Sequence, residues 1–239
     1  MRSGMIGFLG AHQPSEGDPY WDNVVSLLQF DDPANPWKDE TGRVWAPSGD
    51  ISYSAEGRFS GCALTSSMPA FLTTGGGSEF SPAAHGGKMT IEFFLNPSPS
   101  DSSRVKAILS ARGGSSLVNT WVIERAATGR MDIGIFNSSG TAAVYATSGE
   151  NLLPPGVWTH CAFVVDVTEV RVYVGGVGSS TPATSLPATG AWPIQLLRSP
   201  AAPDAARNFV GAIDTLRITK GVARYTENFT PPTAPFPNG

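Results

Sequence analysis

Carboxylates, histidines and cysteines are the side chains of this 239-residue sequence that could do chemistry, and their spacing decides which chemistry is open to them. One carboxylate makes an unusual demand. In Phe209-Val210-Gly211-Ala212-Ile213-Asp214-Thr215-Leu216-Arg217-Ile218-Thr219-Lys220 the residues alternate as in a strand, and Asp214 shares the parity of Leu216 and Ile218. A carboxylate on an apolar face must meet a cation, a metal ion or several N–H donors, because burying it alone is too costly. Hydrolysis of a glycan by two acids would need a second carboxylate two residues away on the same strand face. Glu92 has Thr90 and Phe94 there, Glu124 has Val122 and Ala126, and Asp132 has Arg130 and Gly134. No strand carries the pair, so a hydrolase is the least favoured reading and no catalytic residue is expected.

The remaining reactive side chains are as sparse. His12, His85 and His160 lack ligand spacing with one another or with Cys62 and Cys161, which argues against zinc. His160 sits between Trp158 and Ala162 in a core-like run and reads as structural, and the two cysteines read as buried free thiols. There is no Gly-x-Ser-x-Gly turn and no phosphate-cradling loop ahead of a helix.

The elements that must position these residues are strands. The 27 glycines and 20 prolines are spread along the chain between short β-branched and aromatic runs, and charged residues make up only 15%. Strands are predicted at 24–30, 58–64, 70–73, 89–93, 105–110, 121–125, 131–136, 142–147, 158–165, 170–174 and 194–197, with 178–192 as a surface loop. In Met89-Thr90-Ile91-Glu92-Phe93 the odd positions point inward and Thr90 and Glu92 outward. This cadence predicts an all-β antiparallel sandwich as one domain over 21–230, with an N-terminal arm over 1–20 and a Pro-rich C-terminal tail over 231–239 running extended. Met5, Ile6, Phe8 and Leu9 of the first arm are candidates for docking on a neighbouring subunit. A net charge of −4 with no basic run disfavours nucleic acid, and the apolar run 5–11 is too short to span a membrane and weak as a signal-peptide core. Synthesis and folding in a cytosol are expected.

Several segments together resemble the concanavalin A-like, laminin G-like jelly-roll domains of bacteriophage tail and other virion proteins. They are Asp18 to Asp31, Asp39-Glu40-Thr41-Gly42, Thr90-Ile91-Glu92-Phe93-Phe94, Trp158-Thr159-His160-Cys161-Ala162, Val172-Tyr173-Val174-Gly175-Gly176 and, most specifically, Gly211 to Tyr225 followed by Asn228-Phe229-Thr230-Pro231-Pro232. The resemblance runs over residues 18–236. It implies two packed antiparallel sheets in a jelly roll, and a non-enzymatic structural protein of the virion, on tail or capsid. Such a protein would be assembled in the host cytoplasm as a homo-oligomer among other virion subunits and could touch a host surface glycan. The alternative is a free carbohydrate-binding lectin domain, since one sandwich serves many functions.

The same resemblance points to two kinds of site. Some members of the wider superfamily hold calcium at the sandwich edge, and Asp31, Asp32 and Asp214 are the candidate ligands for Ca²⁺, with arginine pairing or turn capping as their other use. Glycan contact would use an exposed aromatic ring, for which Trp37, Trp192 and Tyr145 are the candidates, with Trp45 also near a loop. Trp121 and Trp158 are expected in the core, and Tyr225 is expected to pack beneath the C-terminal arm and Phe229.

Overall fold

The computed structural model describes residues 17–99, 104–198 and 207–239, with the side chains of 50 and 64–69 outside the description. The proposed docking residues Met5, Ile6, Phe8 and Leu9 lie outside the described residues. Among those described, the chain forms thirteen strands: β1 (Val24–Leu28), β2 (Ala46–Ser54), β3 (Cys62–Thr74), β4 (Lys88–Pro97), β5 (Lys106–Ala111), β6 (Trp121–Arg125), β7 (Met131–Phe136), β8 (Ala142–Thr147), β9 (Thr159–Asp166), β10 (Glu169–Val174), β11 (Val177–Pro182), β12 (Ile194–Leu196) and β13 (Gly211–Lys220). Every strand pairing is antiparallel. The described helical turns are short 3-10 segments, and none is long and apolar enough to cross a membrane.

The strands run in the order β11-β10-β9-β4-β13-β3-β12-β5-β6-β7-β8, with β1 added to β13 and β2 to β3. The first five make one layer and the last five the other. β3 joins them: Ala63–Thr65 pair with β13, and Leu72–Thr74 pair with β12. Where short strands at 58–64 and 70–73 were expected, the chain runs on as this one long strand. The loop expected over 178–192 begins as β11, which continues the β9–β10 hairpin register through Val174 opposite Val177. Across the open end of the sandwich, Ser179 Oγ donates to the Thr147 carbonyl, so β11 meets β8.

The inward faces follow the alternation in the sequence. Met89, Ile91 and Phe93 of β4, Cys161, Phe163 and Val165 of β9 and Val170, Val172 and Val174 of β10 share one apolar core with Trp121, Ile123, Ile133 and Ile135 of the facing layer. β13 breaks the rule. Its pairing with β4 shifts register between Asp214 and Arg217, and Thr215 adopts φ 44°. This is a β-bulge, and it moves the phase of the strand by one residue. Ile213, Leu216 and Ile218 therefore all face the core, while Asp214 lies on the other face, contrary to the parity argument.

The outer face of β4, β9 and β13 is also dry, because the C-terminal segment lies across it. Phe236 and the Tyr225–Phe229 pair, stacked at 3.7 Å with rings 10° apart, cover Phe94, His160 and Tyr173. Gln29 Nε2 donates to the Phe236 carbonyl at 2.6 Å, and the Asp18 amide donates to the Asn238 carbonyl at 2.9 Å. Glu92, expected in water, is fully buried under this cover. Its Oε1 accepts from Arg217 Nε and Nη2 at 3.0 and 2.8 Å, and its Oε2 accepts from the Tyr225 hydroxyl at 2.7 Å, with His160 Nε2 at 3.3 Å. Arg217 Nη1 reaches on to Asp18 at 2.7 Å, where Arg224 donates through both terminal nitrogens.

Burial alone would raise the pKa of Glu92, but the His160 and Tyr225 contacts and the Arg217 charge outweigh it and bring it down to about 2. A folded-state value below the unfolded one stabilises the fold above pH ~4.5, and that contribution is lost as pH falls from there toward 2. Glu92→Gln is expected to destabilise the protein by about 3 kcal/mol in urea unfolding at pH 7, since it removes the carboxylate that takes two of the buried Arg217 hydrogen bonds and leaves Asp18 as its remaining ion-pair partner. It should also flatten the loss of stability between pH 4.5 and 2.

Candidate functional site

Asp39 builds the first corner of the site. It lies in the turn after β1 and is almost fully buried. Its Oδ1 accepts from the Leu27 and Thr41 amides at 3.2 and 2.9 Å and from the Thr41 hydroxyl at 2.6 Å, and its Oδ2 accepts from Ser26 Oγ at 2.5 Å and Trp45 Nε1 at 3.0 Å. Five donors on one carboxylate fix the segment 39–45 against β1. Gly42, with φ 82°, closes the turn in a conformation that favours glycine, and Arg43 follows it inward. Its Nε donates to the Val25 carbonyl at 3.0 Å, Nη1 to the Gly75 carbonyl at 3.0 Å and Nη2 to Glu79 Oε1 at 2.7 Å, with the guanidinium 4.7 Å above the Phe80 ring.

A cleft of about 790 Å³ opens beside this arginine. Its walls carry Arg43, Glu79, His85 and Lys220, with Val24, Val25 and Val44 as the apolar part. A smaller cleft of about 370 Å³ lies on the other side of the same turn, lined by Trp37, Lys38 and Trp45 and sharing Gly42, Arg43 and Val44 with the first. Val44 stands between them and is 78% exposed. Burial would raise the Glu79 pKa, but its own backbone N–H and the Arg43 contact hold it below the usual carboxylate range.

The three aromatic candidates have different surroundings. Trp37 is half-buried, meets Phe30 edge to face at 6.3 Å and lines the smaller cleft. Trp192 is tied into the fold: its Nε1 donates to the Val118 and Asn119 carbonyls, and its ring or backbone fills the space where Gly76, Gly113 and Gly190 lack a side chain. Tyr145 is 44% exposed on the outer face of β8, and its hydroxyl donates to Asp132 Oδ2 at 3.2 Å. Trp45 is buried on Asp39, Trp121 is in the core with its Nε1 on the Phe80 carbonyl, and Trp158 packs against the cluster around Phe94 and Phe236.

The calcium candidates do not form a donor set as placed. Asp31 is exposed and Asp32 Oδ1 caps its own turn at the Ala34 amide, 2.9 Å away. The bulge sends Asp214 under the 57–61 turn, where its Oδ2 accepts the Phe59 amide at 3.0 Å. Backbone N–H groups of Arg58 and Thr215 also face this carboxylate. N–H donors suit an anion, so the demand of Asp214 is met in part by the backbone, with Oδ1 buried and without a hydrogen-bond partner. Among the described residues no group of three or more His, Cys, Asp or Glu side chains is placed to hold a metal.

Pairing across strands produces what no single strand showed. Glu124 on β6 lies directly opposite Asp132 on β7, on the same outer face. Arg130 clamps both Asp132 oxygens at 2.7 and 3.0 Å, while burial first, and the Asp132 charge next among the raising influences, lift the Glu124 pKa. Alternation within one strand could not reveal this pair; the spacing of two predicted strands joined by the turn Ala127-Thr128-Gly129 was the available signal.

Two outcomes follow. Burial, against the opposing backbone N–H groups, raises the Asp214 pKa to about 6. A raised folded-state value stabilises the protein below the unfolded pKa of ~3.8 and loses that benefit as pH climbs through ~6. With the opposite limb from Glu92, stability should peak near pH 4–5, and Asp214→Asn should remove the decline between pH 4 and 7 in thermal unfolding. Trp192→Ala is expected to destabilise the fold by on the order of 3 kcal/mol, as a packing residue does; Trp37→Ala should cost less than half of that.

The comparisons with known proteins agree with this architecture. Residues 72–226 match the family model described as the concanavalin A-like lectin/glucanases superfamily. Domain 4 of AbnA, a GH43 extracellular arabinanase from Geobacillus stearothermophilus solved in complex with arabinotriose, superposes with a TM-score of 0.58 at 20% identity, over 84% of this chain and 94% of that one. The binding domain of botulinum neurotoxin DC, in complex with rat synaptotagmin II, superposes with a TM-score of 0.64 at 13% identity, over 85% of this chain and 49% of that one. The receptor binding domain of botulinum neurotoxin D gives 0.62 at 12% identity, over 87% and 50%. The chain thus spans about half the length of the toxin domains, and at these identities the likeness is one of fold. No curated protein sequence matches it. The match to the family model covers more than half of the sequence and the jelly-roll topology agrees with it: the chain belongs to the concanavalin A-like lectin/glucanases superfamily.

Proposed function

We propose that this chain is a non-catalytic glycan-contacting module, a structural subunit exposed on a bacteriophage particle that meets a host surface glycan through the clefts on either side of the 39–44 turn. The observation that carries the binding part is a half-buried tryptophan, Trp37, lining the smaller of two clefts that share a fixed arginine, Arg43. Saccharide recognition combines an apolar ring face with convergent hydrogen-bonding groups, and this corner offers both. Membership of a lectin and glucanase superfamily agrees with it, as does a neighbour of the same fold solved with arabinotriose. The virion context rests on the ordered resemblance of residues 18–236 to phage proteins.

The non-catalytic part is supported by Asp132. Both of its oxygens are held by Arg130 and one also by Tyr145, and it is 1% exposed. An acid so engaged is poorly placed to attack a sugar or to activate water.

A glycan array on the purified chain tests the reading. A reproducible saccharide hit is expected, reduced at least tenfold in Trp37→Ala while thermal unfolding is little changed. No hit anywhere on the array would overturn the binding role, and release of reducing ends from a bound polysaccharide would overturn the non-catalytic one. Immunogold labelling of intact particles should decorate the tail or capsid surface.

A further inference from the structure

The charge inside the larger cleft differs in sign from that of the molecule. The chain carries 16 Lys and Arg against 20 Asp and Glu, yet the charged side chains lining the 790 Å³ cleft are Arg43, Lys220 and Glu79, with the ionisable His85 beside them. Glu79 is taken, since Arg43 Nη2 donates to its Oε1 at 2.7 Å. His85 Nε2 lies 3.1 Å from the Ser78 carbonyl. Lys220 makes no hydrogen bond or salt bridge among the described residues, though its charge helps hold down the pKa of the nearby Glu79, and it is half-buried at the end of β13, opposite Met89 of β4. Its ammonium has three donors to place.

Arg43 adds geometry to this charge. Three of its five N–H donors are committed to Val25, Gly75 and Glu79, and the guanidinium rests on Phe80. Two donors remain, one on each terminal nitrogen, on a fork whose orientation is already fixed. A fixed fork and an ammonium with no hydrogen bond of its own, both lining one cleft, are suited to an anionic oxygen group, and the valines beside them to the apolar face of a ring.

We propose that this cleft selects an acidic saccharide, one bearing a carboxylate or sulfate, with Lys220 supplying the charge that discriminates it from neutral sugars and Arg43 the fixed donors. The inference rests on the glycan-contacting role above and narrows it to a substrate class. Because Lys220 is half-buried, its contact with an anion should weaken with added salt without vanishing at physiological ionic strength.

The test is an array carrying uronic-acid, sialylated and sulfated oligosaccharides beside their carboxyl-reduced, desialylated and desulfated counterparts. It is probed with the unaltered chain, Lys220→Ala and Lys220→Glu, each checked by thermal unfolding. Hits among the acidic members that fall about tenfold in Lys220→Ala, further in Lys220→Glu, and on removal of the acidic group would support the inference, and the counterpart that loses binding identifies carboxylate or sulfate. Hits confined to neutral sugars, or acidic hits indifferent to Lys220, would overturn it and leave the broader glycan role standing. Absence of binding to every saccharide would overturn both.

Discussion

The outer face of the β4–β13 layer is held by one buried carboxylate. Glu92 takes two bonds from Arg217 and one from Tyr225, with His160 against its second oxygen, and the same arginine ties it to Asp18. These groups come from β4, β9, β13, the entry to β1 and the segment after β13. A charge sealed from water demands that its partners stay in place, because removing one leaves the other buried charges with fewer partners. The network therefore closes the chain at both ends: Asp18 fixes the start of the domain, and Tyr225, Phe229 and Phe236 lie over the site and keep it dry.

That closure has consequences for the candidate site. With β13 clamped to β1 and β4, Lys220 at its end is brought to the wall shared with Val24 and Val25. The opposite wall depends on a second buried carboxylate, Asp39, whose five donors hold the 39–45 turn and aim Arg43 toward Glu79. Two acids on one small domain thus have opposite relations to the surface. Glu92 is satisfied by side-chain cations and fastens layers together; Asp39 is satisfied mainly by neutral donors and shapes a loop. Asp214 is a third arrangement, met by backbone N–H groups and left with one oxygen unpartnered, so it weakens the fold at neutral pH.

The sandwich is a scaffold of long-range pairing with sites placed at its rim and on its faces. Superfamily membership says that such scaffolds serve lectins and glucanases alike. Here Asp132, opposite Glu124, is engaged with Arg130 and Tyr145, whereas the clefts beside the 39–44 turn combine an arginine with its orientation fixed, a lysine without a hydrogen bond among the described residues and a tryptophan. The balance of engaged and unengaged groups, more than the residue types, separates the two regions.

The sequence by itself determined the class of fold and most inward faces, because period-two alternation is a local property: Met89, Ile91 and Phe93, and Val170, Val172 and Val174, went to the core as their spacing demands. It also placed Trp37 near a loop and Tyr225 against Phe229. Tertiary structure decided the rest. The bulge at Thr215, which turned Asp214 away from the core, arises where β13 meets β4 and is a matter of register between strands more than a hundred residues apart. Glu92 is polar at an outward position, and only the C-terminal segment folding over it makes that position dry. The Glu124–Asp132 pair and the cleft between Arg43 and Lys220 exist only through pairing and packing of distant segments, since spacing along one strand carries no information about which strand will lie beside it.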